Sequence, residues 1–331
     1  MPGDEGVRIV VYGIGAVGGA IASKLHLAGH NVIGVARGQQ LEAVRKSGLR
    51  YKTPTEAIFI DLPVVGHPSQ IDLADGDVVL LTVKSQHTVP ALNELRSVAA
   101  PSTPIMCVQN AVANESSALR WFENVYGVLV MLPASFLVPG EIEVPGDINA
   151  KSASGVLDVG RWPHGVDPLA GRMSAAFRSA GFDSRPANDI SRWKYGKLIT
   201  NLGNVVTALC GPAAIHGPIT ALARAEARSC LDAAGIDYAS QDETESRPSK
   251  ELAFDLAETQ HGSTWQSIAR KSGSVETDYL NGEIAMLGKL HGAATPVNSG
   301  LQRIAFEAVR AGIPPGSVDS GTLLRQLQLN D

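Results

Sequence analysis

Residues Ile9-Val10-Val11 form a short apolar run that stops at Gly13-Ile14-Gly15-Ala16-Val17-Gly18. Apolar positions then recur at helical spacing through Ala20, Ile21, Ala22, Leu25 and Leu27, and a second apolar run follows at Asn31–Ala36. This pattern predicts strand, tight turn, helix and strand. The alternation continues with a short helix over Leu41–Lys46 and strand material at Ala57–Leu62 and Val64–Val65. Asp77–Val83 reads as a continuous apolar strand, Val89–Ala99 as a helix and Ile105–Gln109 as another buried strand. Such alternation predicts an α/β fold with a doubly wound, mostly parallel sheet.

Residues 127–160 differ in texture. Val128–Met131, Ile142–Val144 and Val156–Val159 are short apolar stretches separated by Pro and Gly, and they predict an antiparallel extension of the sheet. From about Asp189 the chain turns helical, at 191–210, 219–234, 250–258 and 276–291. Gly211-Pro212, Gly217-Pro218 and Gly292–Pro296 punctuate these segments, and Gln241–Lys250 reads as a solvated loop. The expected organisation is a Rossmann-type nucleotide-binding domain over 1–187 and an all-helical substrate and catalytic domain over 188–331.

Composition narrows the class. A length of 331 residues suits two domains, and 44% hydrophobic with 18% charged residues describes an ordinary soluble α/β protein. The net charge of −5 offers no basic footprint for nucleic acid. Cys107, Cys210 and Cys230 lack C-x-x-C spacing and fit reduced thiols. The eight histidines form no H-E-x-x-H cluster, so no metal is expected. Asp4 and Glu5 precede the first apolar run, unlike a signal peptide, and no apolar run reaches membrane-spanning length. A cytoplasmic location, with neither membrane nor nucleic-acid partner, is the expectation. A homodimer is compatible with it.

The glycine turn carries the first chemistry. In strand–helix context, Gly13 makes the sharp turn and Gly15 leaves room for a pyrophosphate against bare backbone. Gly18 lets helix and strand pack closely, while the helix N-terminus supplies N–H groups to the phosphates. Gly13, Ile14, Gly15, Ala16, Val17 and Gly18 are therefore the expected cofactor-binding turn. NAD-binding versions usually place an acid after the second strand to hold the ribose 2′-OH. Here Ala36-Arg37-Gly38-Gln39-Gln40 occupies that place, and no acid appears before Glu42. Arg37 suits a 2′-phosphate, so NADP(H) is the expected cofactor; the other reading of Arg37 is a solvated loop residue.

Further polar residues sit at predicted strand ends and on helices. Lys84 follows the strand ending at Val83, and Gln109-Asn110 closes the next. Lys84 could contact cofactor phosphate or a substrate carboxylate, and Asn110 the nicotinamide ribose or substrate; either is otherwise a solvated strand end. Thr82 and Ser85 read as local turn formers. On one helix, Lys194, Lys197, Asn201 and Asn204 would share a face at spacings of three and four. That stripe is either a solvated polar face or the proton donor and amides that a carbonyl reductase needs. Ser263 reads as a ligand hydroxyl or an N-cap, and Glu276 as a site carboxylate or a favourable first-turn charge.

Taken in order, these residues resemble the ketopantoate reductase (2-dehydropantoate 2-reductase) family over nearly the whole chain. The matching pieces are residues 13–19, Ala36-Arg37-Gly38, Val83-Lys84, Gln109-Asn110, Trp193…Lys197…Asn201, Ser263, and Glu276-x-Asp278-Tyr279-x-Asn281-Gly282. The resemblance implies reduction of 2-dehydropantoate to pantoate with NADPH, for pantothenate and coenzyme A biosynthesis, in a cleft between a Rossmann and a helical domain. It implies Lys197 as general acid, Asn201 as a substrate-orienting amide and Arg37 as the 2′-phosphate contact. It implies Lys84 and Asn110 near cofactor and substrate, with Ser263 on the substrate's polar end and Glu276 on the cofactor side. Asn204 joins the substrate-binding set by its place on the stripe.

Three departures separate the chain from the family pattern. Val205 stands where the family carries a second substrate-contacting asparagine, with Asn204 one position earlier. Ala111 and Ala113 replace the two glycines of the family's Asn-Gly-x-Gly-Asn loop, and Ser263 and Glu276 are one residue further apart. These departures keep open a paralogous NADP-dependent reductase or dehydrogenase of another 2-oxo acid. A non-catalytic NADP(H) sensor is the alternative from a different class.

Overall fold

The structure, a computed structural model, describes residues 7–146, 152–248, 252, 262–271 and 273–327. It opens with β1 (Ile9–Tyr12), α1 (Ala16–Leu27), β2 (Val32–Val35) and α2 (Gly38–Ser47). Next come β3 (Leu49–Lys52), β4 (Ala57–Ile60), β5 (Val64–Val65), β6 (Val78–Leu81) and α3 (Thr88–Leu95). They are followed by β7 (Ile105–Cys107), α4 (Ala113–Ala118), β8 (Val125–Met131), β9 (Glu141–Glu143), β10 (Val156–Arg161) and α5 (Pro168–Ser179). The helical part contains α6 (Ile190–Asn201), α7 (Asn204–Cys210), α8 (Pro218–Ala234), α9 (Gln241–Glu245) and α10 (Ser263–Ala269). It ends with α11 (Asn281–His291), α12 (Pro296–Ala311) and α13 (Ser320–Gln326). The described residues of Met1–Asn110, Asn114–Ser191 and Ser246–Glu258 form one compact unit. Those of Ala111–Ala113, Arg192–Glu245 and Thr259–Asp331 form a second.

The main sheet of the first unit has the order β10-β8-β7-β6-β1-β2-β5, and every neighbouring pair is parallel except β8 with β10. Its parallel strands are almost wholly apolar because both faces are covered. Ile9 and Val11 of β1 pack into one core with Ile21 and Leu25 of α1 and Phe177 of α5. Val10 and Tyr12 face the opposite core with Ala91, Leu92 and Leu95 of α3. Chain direction along the sheet reverses at β1, with β2 on one side and β6 on the other, which is the switch point where ligands bind in such sheets.

Several local expectations change. β8 continues the parallel sheet through β7, so only β10 is an antiparallel addition. Ile142 lies in β9, which pairs in parallel with β3, itself antiparallel to β4, in a separate three-stranded sheet. Cross-strand charge decides that partnership alongside Ile142: Arg50 pairs with Glu141, and Lys52 Nζ lies 3.2 Å from Glu143. Helix α5 was not signalled by apolar spacing; Asp167 caps it, accepting the Ala170 N–H at 2.9 Å, and Pro168 fits its first turn. Helix α12 beyond the Gly292–Pro296 punctuation is likewise additional.

The expected solvated loop over Gln241–Lys250 begins as α9. Beyond that helix, Arg247 is fully buried and paired with Asp158 of β10 and with Asp183, at 3.2 Å. Charge and serine content cannot distinguish a solvated arginine from one that meets two buried carboxylates. The helix expected over 250–258 lies outside the described residues apart from Leu252, which bridges to Ala153. Among the described residues, no helix is long and apolar enough to cross a membrane. Replacing Arg247 with Met should cost about 3–5 kcal/mol of stability, because Asp158 would remain buried without its guanidinium. A urea titration of the variant against the wild type reads that loss.

Candidate active site

The glycine turn sits at the switch point, at the carboxyl ends of β1 and β6. Gly13 has φ +116°, and a Cβ there would lie 2.9 Å from the Val83 backbone nitrogen. A Cβ on Gly18 would fall 2.1 Å from the Gly13 carbonyl oxygen and 2.4 Å from Thr82 Oγ1. Thr82 is more than a turn former: its hydroxyl lies 2.8 Å from the Gly13 carbonyl and 3.0 Å from that of Tyr12. Gln40 adds a second tie, donating to the Ile14 carbonyl at 2.9 Å and accepting the Gly140 N–H at 2.6 Å. Gly15 differs from its neighbours, since a Cβ there meets nothing within 4 Å. Open space at the N-terminus of the 12-residue α1 fits a dinucleotide pyrophosphate, with Ala16 and Val17 supplying the first helical N–H groups.

Arg37 directly precedes α2 as its N-cap, with its side chain about half exposed. Lys84 precedes the 3₁₀ turn Ser85–His87 after β6. Asn110, half-buried, lies beyond β7. A polar network ties these last two strand ends together. Gln109 donates to the Val83 carbonyl (2.6 Å) and to Thr88 (2.8 Å), Thr88 donates to Asn114 (2.8 Å), and Asn114 donates to Ser85 (3.2 Å) and the Asn110 carbonyl (2.9 Å). Sequence reading missed Thr88, seven positions beyond the end of β6, and read Asn114 only as the last residue of the loop that begins at Asn110. Within this loop Ala111 adopts φ +68°, the left-handed region that glycine prefers.

In the second unit, the expected polar stripe is interrupted. Lys194, Lys197 and Asn201 share α6, but the helix stops at Asn201, and Asn204 opens α7 after Leu202-Gly203. Gly203 is pressed against Ile215 and Thr220, and the Leu202 carbonyl accepts Asn281 Nδ2 at 3.2 Å. That bond comes from the start of α11 and occupies a carbonyl that a continuous helix would use itself.

Lys194 is 3% exposed, and Lys197 is half-buried. Burial pulls the Lys197 ammonium down to about 8. Asn201, one turn on, is 7% exposed, and its Nδ2 is buried with no hydrogen-bond partner among the described residues. Such an amide carries a desolvation cost that a bound acceptor would relieve. Val205 is buried in α7.

Ser263 is the first residue of α10, with Gly262 as the cap, so the N-cap alternative for Ser263 is not realised. Helix α10 packs against α7. Glu276 is buried at the head of the 3₁₀ turn Glu276–Tyr279, which leads into α11. Three groups escaped the sequence reading. The hydroxyls of Thr264 and Thr277 are buried without partners among the described residues, and burial raises the Glu283 carboxyl above the usual carboxylate range. Their polarity was visible in the sequence, but their burial was not.

Comparison with known proteins places these residues in a family context. Residues 9–158 match the model for ketopantoate reductase PanE/ApbA, and residues 189–307 match the model for its C-terminal part. The 2-dehydropantoate 2-reductase of Archaeoglobus fulgidus is 27% identical over 315 residues, covering 92% of this chain and 99% of that protein. The 2-dehydropantoate 2-reductase of Aquifex aeolicus is 24% identical over 305 residues, covering 88% and 94%.

Among solved structures, a PanE/ApbA family ketopantoate reductase from Ralstonia eutropha superposes with a TM-score of 0.76 at 24% identity, covering 92% of this chain and 99% of its own. D-mandelate dehydrogenase, in a ternary structure with NADH and anilino(oxo)acetate, superposes with a TM-score of 0.77 at 19% identity and the same coverages. At those identities the structural likeness is one of fold.

Two backbone tests follow from this geometry. Gly18→Ala should destabilise the protein, while Gly15→Ala should leave its Tm nearly unchanged and weaken dinucleotide binding; thermal melts and a cofactor titration separate the two. Ala111→Gly should raise stability by about 0.5–1 kcal/mol. Relief of a left-handed alanine, roughly 1–2 kcal/mol, exceeds the entropic cost of glycine. Denaturant titration reads the difference.

Proposed function

Because the chain belongs to the ketopantoate reductase PanE/ApbA family and is accordingly an oxidoreductase using a pyridine nucleotide, we propose that it reduces 2-dehydropantoate to pantoate with NADPH, a step toward pantothenate and coenzyme A. The observation that carries this reading is Lys197, an ammonium drawn to about 8 by burial, one helical turn before the unpartnered amide of Asn201. Support for the phosphorylated cofactor is Arg37 after β2, in the place where an NAD-binding chain carries an acid. The Gly13–Gly18 turn, Lys84, Asn110 and Glu276 complete the cofactor set. When bound, the reduced nicotinamide supplies the hydride.

Lys197 does the acid–base work. Charge develops on the keto oxygen during reduction, and the ammonium stabilises it and then delivers a proton from Nζ. A value near 8 keeps the group protonated at neutral pH yet makes it a far better donor than an exposed lysine. Asn201 donates from Nδ2 to the substrate and regains the partner it lacks among the described residues. Ser263 and Asn204 are the remaining substrate contacts in this reading.

A second reading, a reductase or dehydrogenase of another 2-oxo acid, is favoured by Val205, which puts an apolar side chain where the family's second asparagine stands. A panel of 2-oxo acids with NADPH, and NADH as control, decides between them. No turnover of 2-dehydropantoate beside turnover of another acid would select the second. A non-catalytic sensor would show no reduction of any carbonyl that depends on Lys197.

Lys197→Ala should lower kcat by about 10²–10⁴-fold while NADPH affinity holds. Near-normal turnover in that variant would remove the mechanism. In the wild type, the rate of reduction should be level below pH 8 and fall as pH rises through about 8, because only the protonated amine can donate. The pH–rate profile of Lys197→Ala should lack that fall.

A further inference from the structure

Arg37 meets a carboxylate already in place. Its Nη1 lies 3.6 Å from Glu94 Oε1, and Glu94 Oε2 accepts a hydrogen bond from the Tyr12 hydroxyl and lies 3.7 Å from His67 Nε2. The four residues come from adjoining parts of the first unit. Tyr12 ends β1, Arg37 and His67 follow the neighbouring parallel strands β2 and β5, and Glu94 stands on α3.

The other nitrogen of His67 is committed. Nδ1 accepts the Ser69 N–H at 3.1 Å as the cap of the 3₁₀ turn Pro68–Gln70, and Ser69 Oγ lies 2.8 Å from it. With Nδ1 an acceptor, the neutral ring carries its proton on Nε2, the nitrogen that faces Glu94. Burial and Glu94 both hold the Tyr12 phenol protonated, raising it above its ordinary value, so it too remains a donor. Three donors from three adjacent strand ends thus surround one anion at the position the proposed function gives to the ribose 2′-phosphate.

We propose that Glu94 is the specificity-determining residue for the ribose substituent of the cofactor, a resident anion that competes with the 2′-phosphate for Arg37 and His67. The inference rests on the reading of Arg37 as the 2′-phosphate contact. A phosphate monoester brings about −1.5 to −2 charges at neutral pH, so it must displace Glu94 from both donors and is repelled by it meanwhile. An unphosphorylated ribose faces neither cost. Glu94 therefore moderates the preference for NADPH over NADH, and His67 is the second donor to the phosphate beside Arg37.

Nicotinamide fluorescence gives Kd for NADPH and for NADH on the wild type, Glu94→Gln, His67→Asn and Arg37→Gln. Competition by adenosine 2′,5′-bisphosphate against 5′-AMP repeats the comparison without the nicotinamide. Glutamine keeps the size of a partly exposed glutamate, and asparagine preserves an N-cap oxygen for Ser69 while losing the reach of Nε2. The ratio Kd(NADH)/Kd(NADPH) should rise about fivefold in Glu94→Gln and fall about threefold in His67→Asn, the scale of exposed charge contacts. A merely structural role for Glu94 would change both cofactors alike. A wild-type preference for NADPH that is lost in Arg37→Gln but unmoved in Glu94→Gln overturns the role of Glu94 alone. Equal binding of both cofactors by the wild type, Arg37→Gln and Glu94→Gln overturns the Arg37 reading itself.

Discussion

The close approach of three backbone segments at the switch point governs the first unit. The turn after β1, the first turn of α1 and the segment after β6 come so near one another that neither Gly13 nor Gly18 has room for a Cβ. Thr82 closes the gap with a hydroxyl shared between the carbonyls of Tyr12 and Gly13. This packing aims the N-terminus of α1 along the carboxyl edge of the sheet, and it leaves Gly15 as the open position there. The other strand ends inherit that frame, because β2, β6 and β7 run parallel beside β1 and release Arg37, Lys84 and Asn110 along the same edge.

Buried polar groups fall into two kinds. In the first unit, Gln109, Thr88, Asn114 and Ser85 form one hydrogen-bonded chain and Arg247 meets two carboxylates, although the Ser23 hydroxyl is buried without a partner among the described residues. In the second, polar atoms of Asn201, Thr264 and Thr277 are buried without partners among the described residues, and burial depresses Lys197. Unsatisfied polar atoms cost stability, and their natural explanation in a family of reductases is a ligand that supplies the missing partners. The satisfied network positions loops; the unsatisfied set is where chemistry is expected.

Much of this was legible in the chain itself. The apolar run at Ile9–Val11 and the spacing of Gly13, Gly15 and Gly18 foretold strand, turn and helix, because a strand covered on both faces must be apolar at every position. Lys197 and Asn201 were placed on one helix by spacing alone. The break at Leu202-Gly203 was not, since it depends on Asn281, Ile215 and Thr220, which lie far away in sequence. The burial of Arg247 escaped for the same reason: its partners Asp158 and Asp183 lie more than sixty positions earlier.

By itself, then, the sequence determined the α/β class, the helical second part, the glycine turn between β1 and α1 and the residue types at the candidate site, because these rest on periodicity and local backbone demands. Tertiary structure alone decided which strands pair, which polar groups lose water and which cations meet carboxylates. Arg37 shows the division. Its position after β2 follows from local pattern, yet only the fold reveals that Glu94, Tyr12 and His67 gather beside it. Pairing and desolvation are sums over neighbours distant in the chain, and a one-dimensional pattern does not contain them.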